Sequence, residues 1–268
     1  RIGVDLGGRR RGEDGLAWGA WSGVHYVDMC LEGAPDHPNA PAAWTPDRVA
    51  ALRHTCERHR IHLGLHSASA VNVAETSPLL ADAAEQYLRT YIDLAGRLGA
   101  EWIVVHGGYH FTGDYAARRA ARIERLERAA AHAARAGARL LLENLNREPD
   151  HAEIRYLAHN LEECREYFGR IQSPSLGWAF TVNHAHLVPE GIDGFLDAMD
   201  LGRCGEVRLA DSHGRYEEHL RPGEGSIDFA RMFRRIEGGG YRGHYMMAFG
   251  ALDDMLKGRE TLLRAAGS

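Results

Sequence analysis

The chain reads as an α/β protein, a single (β/α)8 barrel spanning residues 1–268, and three observations predict it. First, 268 residues is a comfortable length for one barrel of about 250 residues. Second, eight short apolar runs alternate with amphipathic helical segments at intervals of roughly 30 residues, the spacing of βα units. Third, several runs end in histidine or glutamate, and the C-terminal ends of barrel strands are where active sites of this fold gather.

The elements follow in order. Ile2–Leu6 is the first strand, closed by Gly7 and Gly8. Val24–Leu31 is the second, with Pro35, Pro38 and Pro41 marking a loop after it. Thr45 caps a helix that has Pro46 in its first turn and runs to about Arg58. Ile61–His66 is the third strand. Ser77-Pro78 opens a long helix, apolar at Leu80, Ala84, Tyr87, Tyr91, Ile92, Ala95 and Leu98, which Gly99 stops. Trp102–His106 is the fourth strand. Tyr115–Ala136 is a helix whose arginines (Arg118, Arg119, Arg122, Arg125, Arg128) alternate with Glu124 and Glu127 and are expected to form a solvated face. After Gly137 comes the fifth strand, Ala138–Leu142, ending in Glu143-Asn144. Helices near 160–168 and 192–199 precede the sixth and seventh strands, Leu176–Phe180 and Glu206–Ala210. A helix at Ile227–Ile236, the eighth strand at His244–Ala248 and a helix at Asp253–Ala266 complete the chain.

Composition removes several function classes. No apolar run approaches the roughly 20 residues that span a bilayer, so no membrane segment is expected; widely spaced cysteines fit reduced thiols, and a cytoplasmic location is expected. The cysteines Cys30, Cys56, Cys164 and Cys204 form no CxxC pair, which argues against a zinc ribbon or a disulfide framework. A net charge of −5 gives no global attraction to nucleic acid. All basic residues but Lys257 are arginine. A Schiff-base aldolase needs a pocket lysine, and Lys257 falls in the last predicted helix. No GxSxG elbow accompanies Ser67, Ser69 or Ser212.

The residues able to carry chemistry sit at strand ends: His66 (LGLHSASAVN), His106 (VVHGGYH), Glu143 (LLLENLN), His184 and His186 (FTVNHAH), then Asp211, His213, Glu217 and His219 (LADSHGRYEEHLRPGEG). Imidazoles and carboxylates suit borderline and hard divalent metals. Any one of them could equally be a hydrogen-bonded structural group. His54, His59 and His62 illustrate that reading in a polar stretch, Asp211 fits a turn cap, and Gly223–Gly225 fits a plain loop. Trp18, Trp21, Tyr26, Trp178 and Phe180 fit core packing better than a wall for a sugar ring. Co-location at successive strand ends is what singles out the first group.

The order HSASAVN, HGGYH, LENLN, TVNHAH and EEHLRPGEG resembles the xylose-isomerase-like TIM barrels, which include endonuclease IV and the sugar isomerases and epimerases. The resemblance covers nearly the whole chain, and HGGYH and HLxxGEG are its most specific pieces. It implies one metal site from His66, His106 and Glu143 and another from His184, Glu217 and His219, with Glu217 where the endonuclease IV pattern has aspartate. Asn72 falls where that branch has an asparagine. A third family site takes a glutamate after strand five, an aspartate after strand six, a histidine in strand seven and a glutamate in strand eight. Those positions here read Glu143, Thr181, Arg208 and Ala248. Without a carboxylate at position 248, the two-glutamate proton transfer of the sugar epimerases has only one of its groups. Arg208 is expected to pair with Glu143 or to hold an anionic substrate group where the metal would lie.

The leading expectation is therefore a sugar isomerase/epimerase-like enzyme for a small polyhydroxy or keto-acid substrate. It would use a divalent metal (zinc, manganese or iron) in an altered site, with isomerase, lyase and hydrolase chemistry all open. Glu143, His110 and His213 are its candidate catalytic groups; Arg208, Asn144, Asn72 and Asp211 are its candidate substrate contacts. The alternatives are a metal-free relative that binds a sugar without turnover and a phosphodiesterase of the endonuclease IV type. The expected partner is a small sugar-like molecule rather than nucleic acid, and a homo-oligomer is left open.

Overall fold

In a strand, side chains alternate between two faces, so in a closed barrel every second residue points into the interior. The computed structural model, which describes residues 1–31 and 36–267, shows this alternation around a full circle. The loop-marking Pro35 lies outside the described residues.

The elements in chain order are β1 (Ile2–Asp5), α1 (Gly12–Trp21), β2 (Tyr26–Met29), α2 (Pro46–His59), β3 (His62–His66), α3 (Pro78–Leu98), β4 (Trp102–Val105), β5 (Tyr109–Phe111) and α4 (Tyr115–Ala136). They continue with β6 (Leu140–Glu143), β7 (Ile154–Tyr156), α5 (Leu161–Arg170), β8 (Leu176–Thr181), α6 (Val182–Ala185), α7 (Gly191–Ala198), β9 (Cys204–Leu209), α8 (Phe229–Gly238), β10 (His244–Met247) and α9 (Leu252–Ala266). Strands β1, β10, β9, β8, β6, β4, β3 and β2 close into a parallel barrel, while β5 and β7 pair with each other in an antiparallel ribbon. The expected (β/α)8 barrel is present. No described helix is long and apolar enough to cross a membrane.

Two apolar layers follow from the alternation. Trp102, Val104, Leu141, Ala179 and Met246 pack inside the barrel. Their neighbours Ile103, Val105, Leu140, Leu142, Phe180, Val207 and Met247 pack outward against the helices. The same parity puts Asp5, Asp28, Glu206 and Arg208 on the inner face, and Glu143, two residues after Leu141, at the upper end of it.

Capping works largely as the sequence suggests. Thr45 accepts from Arg48 N at the start of α2, and α3 and α4 end at the left-handed Gly99 and Gly137. The solvated arginine face of α4 is corrected. Arg118, Arg122 and Arg125 are buried beneath neighbouring segments. Arg118 pairs with Asp114 and Glu75, Arg122 with Glu166 over the Tyr167 ring, and Arg125 bonds to Val73 and Glu75 carbonyls. Only part of that face meets solvent because the loop after β3 and helix α5 cover the rest.

Helix α1 was not predicted, since its three glycines lower helix propensity. Close packing explains them: a Cβ at Gly12 would approach the Trp44 ring to 2.9 Å, and one at Gly15 would collide with Leu6.

Candidate active site

A cavity of about 620 Å³ opens at the C-terminal end of the barrel, within the roughly 300–1,000 Å³ typical of small-molecule sites. Its wall includes His66, His106, Glu143, His184, Arg208, Glu217 and His219, gathered from β3, the turn after β4, β6, α6, β9 and the loop after β9. Sequence positions 66 to 219 therefore meet in one place.

Two clusters of metal-ligating type form within it: His66 with His106 and Glu143, and His184 with Glu217 and His219. In the first, His66 Nε2 lies 3.4 Å and His106 Nε2 lies 3.1 Å from Glu143 Oε2. In the second, His184 Nε2 and His219 Nε2 lie 3.1 and 2.8 Å from Glu217 Oε1. Bonds of about 2.0–2.1 Å in a tetrahedral zinc shell place donor atoms about 3.3 Å apart, so little movement separates these arrangements from a coordination shell. Two backbone carbonyls fix the ring orientations. His66 Nδ1 bonds to Ser67 O and His184 Nδ1 to Asn144 O, each at 2.8 Å. That leaves Nε2 as the inward nitrogen, and a hydrogen bond at the other ring nitrogen is what orients metal-binding histidines. Glu217 Oε2 is buried with no hydrogen-bond partner among the described residues. These features fit a divalent ion at either cluster.

Ionisation supports the same assignment. Burial would raise the Glu143 carboxyl, but Arg208 and the bonds from His106 and His66 hold it well below the usual range. Burial would likewise raise Glu217, and His184 and His219 bring it down to about 2. Both carboxylates are present as ligand-competent anions.

The third position does not fit a metal. Thr181 Oγ1 donates to Glu143 Oε1 at 2.5 Å, and Arg208 Nε stands 3.5 Å from the same oxygen. The Arg208 guanidinium also reaches Asp5 at 2.5 Å, Glu206 at 2.6 Å and Asp28 at 2.9 Å. A fixed cation already sits there, and Ala248 in the cavity wall supplies no ligand. Each guanidinium nitrogen faces a protein carboxylate, so Arg208 is a buried counter-ion that pairs with Glu143, the first of the two roles expected of it. Asp28 has its carboxyl raised well above the usual range by burial, by Glu206 and by Asp5.

Other expected site residues lie outside the cavity wall. Asn72 bonds to Tyr109 O and accepts from Tyr109 N and Ala74 N, tying the loop after β3 to the ribbon. Asn144 exchanges two bonds with the Thr181 backbone. Asp211 is fully buried and accepts from the backbone of Ser212, Gly223, Gly225 and Ile227. It folds back the loop that carries Glu217 and His219. His213 is exposed and pairs with Glu218, and His110 faces a separate neighbouring cavity. His110 and His213 thus lie apart from the two ligand clusters, and Asn72, Asn144 and Asp211 make hydrogen bonds to the backbone of neighbouring loops. Asp211 spends both its oxygens on the backbone, and Asn72 and Asn144 each commit their oxygen and one N–H to it.

Sequence reading missed Asp5, Asp28 and Glu206 around Arg208. Their signal was available: each is an acid inside a run otherwise apolar enough to be a buried strand. Glu148, Asn146, Asn183 and Tyr156 of the cavity wall were also missed, because loop residues and elements of three or four residues carry no readable periodicity.

Comparison with known proteins gives three results. The family model described as "Xylose isomerase-like TIM barrel" matches residues 16–264. An uncharacterized protein of Methanocaldococcus jannaschii, MJ1311, is 25% identical over 227 residues, 81% of this chain and 74% of that protein. Among solved structures, a D-tagatose 3-epimerase-like protein superposes with a TM-score of 0.83 at 20% identity, covering 100% of this chain and 97% of that one. The 3-keto-D-glucoside 4-epimerase of E. coli gives 0.77 at 15% identity, covering 100% and 99%. The D-psicose 3-epimerase of Clostridium cellulolyticum H10 gives 0.78 at 13% identity, covering 100% and 98%. At these identities the likeness is one of fold.

Proposed function

Because the chain belongs to the xylose isomerase-like TIM barrel family, we propose that it is a divalent-metal enzyme acting on a small polyhydroxy, sugar-like substrate. The observation that carries this reading is the convergence of two three-residue ligand clusters on one polar cavity. The sugar epimerases among its structural neighbours support the substrate class.

His66, His106 and Glu143 would hold one ion and His184, Glu217 and His219 another. Bound there, a divalent ion supplies Lewis-acid polarisation of a carbonyl or hydroxyl oxygen. Arg208 and Thr181 keep Glu143 ionised and aimed at its cluster. Asn146 and Asn183, both in the cavity wall, offer amide groups for substrate hydroxyls.

Proton transfer needs a titratable group outside the ligand set, most often a carboxylate or imidazole. Of the carboxylates in the wall, Asp5 is bound to Arg208 and Gly7 N, while Glu143 and Glu217 belong to the clusters. Glu148, held by Asn146 at 2.6 Å, is left as the general acid or base. It takes the role expected of His110 and His213.

The test combines metal analysis with solvent-deuterium incorporation into a panel of ketoses. Zinc, manganese or iron retained after dialysis, with deuterium exchange lost in Glu148→Gln at unchanged metal content, supports the proposal. A protein that takes up no metal under any loading condition overturns it.

A further inference from the structure

Beside the active-site cavity lies a second one of about 350 Å³, lined by residues of the β5–β7 ribbon, the loop before β7 and the first turn of α5. Tyr156 and Glu148 line both cavities, so the two meet along a shared wall. The second is a pocket of charged and aromatic side chains with none of the metal-ligand clusters in it.

Its acids are largely committed. Glu163 is buried, accepts from Tyr115 Oη and Ala158 N, and lies 3.4 Å from His159 and 3.6 Å from the buried Arg122. Asp150 turns outward, its side chain 84% exposed, and pairs with Arg147. Arg155 is different. It makes no ion pair among the described residues, although the Asp150 carboxylate feels its charge. Its Nη2 bonds to the Asp150 carbonyl oxygen, and the side chain lines the cavity. An anionic oxygen brought into the cavity against the guanidinium completes a charge-assisted pair. Nearby, His110 is buried with Nδ1 bonded to Phe111 O at 2.9 Å. In that tautomer Nε2 is an acceptor suited to a hydroxyl.

We propose that this outer cavity is a subsite for the distal end of an extended polyhydroxy substrate that carries an anionic oxygen group, carboxylate or phosphate. Arg155 binds the anion and His110 accepts from an adjacent hydroxyl, while the reacting end occupies the inner cavity. The inference rests on the polyhydroxy substrate class proposed above and adds the charge and reach of that substrate.

Calorimetric titration of the zinc-loaded protein with fructose, fructose 6-phosphate and glucuronate tests it. Binding of either anionic sugar at least tenfold tighter than fructose is expected. That preference should vanish in Arg155→Gln and be partly kept in Arg155→Lys, with the metal content of both unchanged. Preference for the phosphate alone or the uronate alone identifies which anion the subsite takes. Equal affinity for all three sugars, no binding of any, or a preference that survives Arg155→Gln overturns the inference. Metal content, measured on the same samples, reports separately on the metal-enzyme reading.

Discussion

Arg208 Nε stands 3.5 Å from Glu143 Oε1 and links two parts of the barrel, the buried acids of its interior and the ligand cluster at its mouth. Arg208 is 3% exposed, and its guanidinium is surrounded by Asp5, Asp28, Glu206 and Glu143. Burial of several carboxylates in a low-dielectric interior is tolerable only with a matching cation. Arg208 is that cation, permanently charged and supplied by the chain itself.

Arg208→Met removes the cation and leaves its acids facing one another. Loss of one partner from a buried ion pair costs about 3–5 kcal/mol, and urea unfolding should show a loss of that order. Arg208→Lys should recover only part of it, because one ammonium cannot replace the fork geometry. A Met variant as stable as the parent would contradict this role.

Glu163 makes a pH-dependent contribution. Burial would raise its carboxyl, but His159, Arg122 and Tyr115 lower it from the ordinary 4.5 to about 2. A group depressed on folding adds stability that is fully present above its unfolded value and lost as pH falls through the folded one. Between about pH 5 and pH 2 the parent should therefore lose roughly 3 kcal/mol through this group. Glu163→Gln should be less stable at pH 7 by a similar amount and show a flatter acid limb in denaturant titrations from pH 7 to 2.

Gly64 is a packing requirement in β3. A Cβ there would overlap the Trp102 indole and the Asp28 carboxylate, which are themselves hydrogen-bonded at 2.8 Å. Gly64→Ala should cost about 1–3 kcal/mol, the range for overpacking a filled core, with a matching fall in thermal midpoint. An unchanged midpoint would show that the barrel interior yields more easily than its packing implies.

The barrel was legible in the sequence because buried parallel strands are short apolar runs, and Trp102–Val105 and Leu140–Glu143 announce themselves. The ligand types were legible because a histidine or glutamate ending such a run has few structural reasons to be there. The ribbon of β5 and β7 was not, since each has three residues and its only pairing is with a segment far along the chain. The backbone bonds of Asn72, Asn144 and Asp211 were not legible for a related reason. A buried amide or carboxylate that serves backbone N–H groups looks the same in sequence as one that serves a substrate. The burial of Arg118, Arg122 and Arg125 depended on covering segments that helical periodicity does not encode.

Metal stoichiometry by elemental analysis, after zinc loading and exhaustive dialysis, tests the central claim most directly. The account predicts two ions per parent chain. His219→Ala and His106→Ala should each retain one, and Arg208→Met should acquire no third, since Thr181 and Ala248 still offer no ligand set. A parent chain that binds no metal, or one that binds a third ion, would contradict it.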